Sequence, residues 1–109
     1  MPNYPLSSSM MEPVRNEQVL VGATSTRISE SKMASDRSLI LVRNISANSL
    51  DIIWVNMGYG QAVVGQGIQL KQNDSFSDVQ DAGYNSYKGV YTAICETANG
   101  KLSIVERSQ

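Results

Sequence analysis

RSLILVRNISANSLDIIWVN, residues 37–56, holds two apolar runs divided by a short polar break, and its reading decides the fold. Leu39 to Val42 are four consecutive aliphatic residues between charged ends, and the run stops at Asn44. It is too short for an ordinary helix, so the pattern predicts a central strand buried on both faces over Arg37–Asn44. Ile45 to Asn48 supply a turn, because Asn and Ser favour local side-chain-to-backbone bonds. Leu50 to Asn56 follow, and their β-branched and aromatic residues suit a pleated surface. The two runs together predict a long hairpin at the heart of the core, with Trp54 packed inside it.

The same grammar continues in both directions. Upstream, Gln18–Val21 and Thr26–Ser29 are two short strands divided by Gly22-Ala23-Thr24-Ser25, and SESKMASD (29–36) is a polar linker. Downstream, Gly67–Leu70 and Ser75–Val79 alternate apolar with polar, which places Phe76 inward, and Lys71-Gln72-Asn73-Asp74 turns the chain between them. Val90–Cys95 and Lys101–Val105 are the last two strands. Their connection ends in Asn99-Gly100, the pair favoured by a type I′ hairpin with positive φ at both residues. Gly58, Gly60, Gly65 and Gly67 crowd one stretch, but at the wrong offsets for a phosphate loop and with no helix following. They are turn and bulge positions where φ is positive or backbones come close. Eight short strands without an amphipathic helix predict an all-β fold, a small antiparallel β-sandwich or jelly roll.

All three prolines, Pro2, Pro5 and Pro13, fall in the first thirteen residues. They fix φ and remove backbone donors, so residues 1–17 read as an extended N-terminal arm and residues 18–109 as the sandwich domain. The arm carries isolated apolar side chains among serines, suited to ordering on docking: Tyr4, Leu6, Met10, Met11 and Val14. A body this small buries a modest fraction of its surface, so association would contribute to its stability.

Composition excludes much. Nine basic and ten acidic residues give a net charge of −1 with no block of one sign, against the basic stripe that nucleic-acid binding requires. No apolar run approaches a membrane span. The chain has no histidine, which removes the commonest general base, metal ligand and nucleophile partner. The single cysteine, Cys95, excludes an intrachain disulfide framework and is expected to be a small buried apolar residue. No cofactor, no metal and no enzymatic activity are expected. Asp74, Asp78 and Asp81 lack the spacing of a calcium loop and read as solvated turn residues. The Asn44 and Asn73 sequons are chance matches in a chain without a secretory signal. Tyr84, Tyr87 and Tyr91 with Tyr59 are expected to form an aromatic face that serves a protein interface or stacks on sugars.

Several segments carry a resemblance: VLVGATSTRIS (19–29), RSLILVRNIS (37–46), GQGIQL (65–70), YKGVYTAI (87–94) and KLSIVER (101–107). In this order they resemble the small β-sandwich accessory proteins of tailed-bacteriophage virions, especially capsid cement (decoration) proteins. The likeness covers about four-fifths of the chain and is one of fold and pattern. It implies a protein made in the host cytoplasm that ends on the outer capsid surface of the virion. There it would bridge neighbouring subunits of the major capsid protein and act as a homo-oligomer, dimer or trimer, with no role for nucleic acid or membrane. The five apolar arm residues would be the capsid-docking anchors, and Tyr59, Tyr84 and Tyr87 the loop contacts. The alternative is a carbohydrate- or receptor-binding module of a phage tail or other surface assembly.

Overall fold

The computed structural model describes residues 14–30 and 37–108. Eight strands are present: β1 (Val14–Val21), β2 (Thr26–Arg27), β3 (Arg37–Asn44), β4 (Ile53–Met57), β5 (Ile68–Leu70), β6 (Ser75–Val79), β7 (Tyr91–Cys95) and β8 (Gly100–Ser108). They form two four-stranded sheets, ordered β1-β8-β3-β6 and β2-β7-β4-β5, and every pairing is antiparallel. The first four strands pair with the last four in nested order: β1 with β8, β2 with β7, β3 with β6 and β4 with β5. A single long antiparallel ribbon has been rolled into two facing sheets, which is the jelly roll.

The alternation of side chains builds the core. Val21, Ile40, Val42, Leu102 and Ile104 face inward from one sheet, and Ile53, Val55, Leu70, Tyr91, Ala93 and Cys95 from the other. Phe76 packs against this cluster as the pattern predicts, and Cys95 is buried. The four loop glycines all have positive φ. Gly67 also has no room for a side chain, since a Cβ there would stand 2.4 Å from the Val55 carbonyl oxygen.

Four sequence expectations are corrected. The runs around 37–44 and 50–56 are not a hairpin, because β3 and β4 belong to different sheets. Nor is β3 buried on both faces: Leu41 and Arg43 are exposed while Ile40 and Val42 are not. Trp54 lies on the outer face between its buried neighbours and donates its indole N–H to Glu96 (2.8 Å). The β7–β8 connection is no type I′ hairpin. It crosses between sheets, and among the described residues the one non-glycine with positive φ is Asn73. Gly100 is needed for space instead, because a Cβ would meet the Val21 carbonyl oxygen at 2.6 Å and the Cys95 sulfur at 2.8 Å.

The arm boundary also moves. β1 opens at Val14 and pairs with β8 over all eight residues, so residues 14–17 belong to the sandwich. Tyr4, Leu6, Met10 and Met11 lie outside the described residues.

Candidate functional site

Rolling the ribbon sorts its connections to two ends. At one end are three four-residue turns (22–25, 71–74 and 96–99) and the 45–52 loop. At the other are residues 28–30 after β2, the glycine-rich loop 58–67, the loop 80–90 and the start of β1. Tyr59, Tyr84 and Tyr87 all belong to this second end, so the fold gathers loops that sequence alone left scattered.

Beneath these loops lies a buried ionic network. Glu106 is fully buried on β8, in phase with Leu102 and Ile104. Its Oε1 accepts from Arg15 Nη1 (2.6 Å) and the Glu30 amide (3.0 Å), and its Oε2 from Arg37 Nη1 (3.1 Å). A β-bulge between Arg37 and Leu39 breaks the alternation of β3 and turns the Arg37 side chain inward. The other nitrogen, Arg37 Nη2, donates to the carbonyls of Tyr87 (3.0 Å) and Gly89 (2.7 Å). The guanidinium also stands 5.0 Å from the centroid of the Tyr91 ring. Tyr91 in turn donates its hydroxyl to Asp78 Oδ2 (2.9 Å), which also accepts the Tyr87 amide (2.8 Å).

Two guanidiniums and two carboxylates balance, which is the condition under which charges survive in an interior. Burial works against the charge on Arg15, but its bonds to Glu106 and Glu17 outweigh this and raise its pKa. Burial, followed by the bond to Asp78, pushes the Tyr91 hydroxyl far above its ordinary range. Glu106 serves both guanidiniums and Asp78 is held by the neutral donors of Tyr87 and Tyr91, so the network is a clamp holding loop 80–90 to the body. Sequence reasoning missed it. Asp78 was expected in solvent with Asp74 and Asp81, yet it is buried in phase with Phe76, whereas Asp74 and Asp81 do serve exposed turns.

Exposed aromatic and apolar side chains occur on two of the loops at this end. Tyr59 is 86% exposed, and Val63 and Val64 project from the same loop, which is pinned where the Ala62 amide donates to Ser25 Oγ (2.9 Å). Tyr84 is 53% exposed, and its hydroxyl is raised in pKa chiefly by hydrogen bonding toward Asp78. Tyr91, fully buried in the core, is no part of an exposed aromatic face, and Tyr87 does not join it either. It is half-buried and meets Tyr91 edge-on with ring centroids 5.5 Å apart, so it belongs to the core.

A second apolar area lies on the outer face of the β1-β8-β3-β6 sheet. Cross-strand pairing aligns Val14, Arg107, Leu39 and Val79 in one row and Asn16, Val105, Leu41 and Ser77 in the next. The third row, Gln18, Ser103, Arg43 and Ser75, is wholly polar. The outer face of a solvated sheet is ordinarily polar throughout. Here it turns apolar toward the loop end, where β1 begins. The signal was present in Leu39 and Leu41, which are out of phase with the core residues Ile40 and Val42.

Among the described residues no group of acidic or cysteine side chains is arranged to hold a metal ion. No family model, no curated protein and no solved structure matches the chain.

Proposed function

We propose that this chain is a structural virion protein: a cement protein that binds the outside of a phage head and bridges neighbouring major capsid protein subunits. The observation that carries this reading is the exposed apolar area on the outer face of the β1-β8-β3-β6 sheet. Val14, Leu39 and Val79 share one cross-strand row there and Leu41 and Val105 the next, while Tyr59, Val63 and Val64 are exposed separately on loop 58–67. Contiguous exposed apolar area of this kind marks an interaction site. The arm of residues 1–13 joins the body at Val14, beside that surface, so arm anchors and sheet face can engage one partner together. Repetition over a shell makes modest individual contacts sufficient.

Cosedimentation with empty capsid shells of the phage that encodes the chain tests the reading. The full chain is expected to bind saturably, and a truncation lacking residues 1–13 to bind more weakly. Retained binding by that truncation, lost with Tyr59→Ala and Val63→Ser, would assign docking to the loop end alone. Absence of binding by every form would sink the cement reading. The alternative, a carbohydrate- or receptor-binding module, rests on the exposure of Tyr59 and Tyr84. A glycan-array signal abolished by Tyr84→Ala would favour it.

A further inference from the structure

The two sheets have four edges: β1 and β6 in one, β2 and β5 in the other. Three are short, with two residues in β2, three in β5 and five in β6. β1 is eight residues long and pairs regularly with β8 throughout, with no bulge to twist it away. Long regular edges present a row of unpaired backbone groups, and proteins blunt them with charge, proline or bulges. The outward-facing residues of β1 are Val14, Asn16, Gln18 and Leu20, with no charge and no proline among them. Leu20 is 73% exposed.

Two charges sit on the inward-facing side of this strand, and they are self-complementary. Arg15 and Glu17 have opposite sign, two residues apart on one face. We propose that two copies of the chain pair antiparallel along β1 about a two-fold axis through Asn16, joining their sheets into one of eight strands. A continuous sheet requires inward residues opposite inward ones, so the axis must pass through a residue rather than between two. Centring on Arg15 or Glu17 sets that charge against its own copy, which destabilises a cross-strand pair. Centring on Gln18 leaves the charges opposite Val19 and Val21. The Asn16 register alone places Arg15 of each copy opposite Glu17 of the other, twice, with Val14 opposite Gln18.

Pro13, lacking an amide hydrogen, ends the ladder just beyond Val14. Beside the axis a shallow depression of about 240 Å³, lined by Asn16, Glu17, Gln18, Ser103, Ile104 and Val105, leaves room for side chains of the second copy. Such an interface is isologous and closes on itself, so it stops at a dimer.

This inference does not rest on the capsid reading and is tested without capsids. Sedimentation equilibrium of the full chain is expected to show a reversible monomer–dimer equilibrium. Glu17→Lys should abolish the dimer; it also removes the intrachain Arg15–Glu17 pair (3.2 Å), so circular dichroism should confirm that the variant remains a folded monomer. Under mild oxidation Asn16→Cys should cross-link into covalent dimers and Gln18→Cys should not. The axis brings position 16 of both copies within the roughly 4.4–6.8 Å Cα separation that a disulfide spans. A wild-type chain monomeric at all concentrations, a Glu17→Lys dimer as tight as wild type, or preferential cross-linking at position 18 would each overturn the proposal.

Discussion

The two ends of the sandwich solve one problem with different chemistry. Where strands end, the apolar core runs out while backbone groups remain buried, and each of these needs a partner. At the turn end the answer has no ion pair among the described residues. The buried carboxylate there, Asp51, accepts from the Thr97 hydroxyl and the Asn48 amide, and amide and hydroxyl side chains do the rest. Asn44, fully buried, donates Nδ2–H bonds to the carbonyls of Asp51 (2.9 Å) and Leu70 (2.8 Å) and accepts the Ser46 amide (2.9 Å). Ser46 Oγ accepts the Lys101 amide (2.9 Å) in the same way. At the loop end the answer is ionic, through Arg15, Glu106, Arg37 and Asp78. Neutral bonds add up in increments of about 1 kcal/mol, and losing one leaves the others in place. A buried ionic set is stable only when complete, so it holds its loops in one arrangement or fails as a unit. The all-or-none fastening lies at the end where β1 begins, next to the sheet face proposed to meet a partner.

The largest expected effect separates the ends most clearly. Glu106→Gln keeps the shape of the side chain but leaves the fully buried Arg37 without a carboxylate and Arg15 with Glu17 alone. A loss of about 3–5 kcal/mol in denaturant unfolding is expected. The exposed loops should become more susceptible to proteolysis, with cleavage concentrated in residues 80–90. A loss below about 1 kcal/mol, within the range of an exposed pair, would show that the network is not a unit.

Asn44→Ala is the matching change at the turn end. It strips partners from one amide and two carbonyls, and about 2–3 kcal/mol should be lost. Because no charge is involved, that loss should stay constant as salt is added. The comparison fails if the two variants show the same salt response. The burial of Asn44 also removes its sequon from any glycosylating enzyme, so the residue is legible as a structural one.

All eight strands were legible because nearly all are runs with apolar residues bounded by turn residues, the two-residue β2 being marked instead by Ile28 beside it. The four loop glycines announced their own conformation. Strand partners were not legible. The strand after β3 looked like its hairpin partner, yet the roll sends β4 to the opposite sheet, a choice made by contacts distant in sequence. The buried polar residues were more readable than they first seemed. Glu106 is in phase with Leu102 and Ile104, Asp78 with Phe76, Asn44 with Ile40 and Val42, and Arg15 with Val19 and Val21. Strict alternation assigns all four to the interior. Arg37 is the exception, because the bulge that turns it inward leaves no mark in the sequence.

The smallest of these effects tests whether Tyr91 belongs to the ionic end. At neutral pH, Tyr91→Phe removes one donor from buried Asp78, and about 1–2 kcal/mol should be lost. The sharper readout is at high pH. The folded-state pKa of Tyr91 is raised, so its contribution is fully present below the unfolded tyrosine value of about 10. Above that value the unfolded chain releases the proton while the native state keeps it. Stability therefore falls as pH rises toward the folded pKa, approaching about 1.4 kcal/mol per pH unit for this one group. Tyr91→Phe should flatten the alkaline limb of the stability curve by that slope. Tyr84→Phe, at a largely exposed ring, should leave most of the limb intact. Equal flattening by both would mean that Asp78 is governed from the surface turn, and that the ionic clamp reaches solvent through Tyr84.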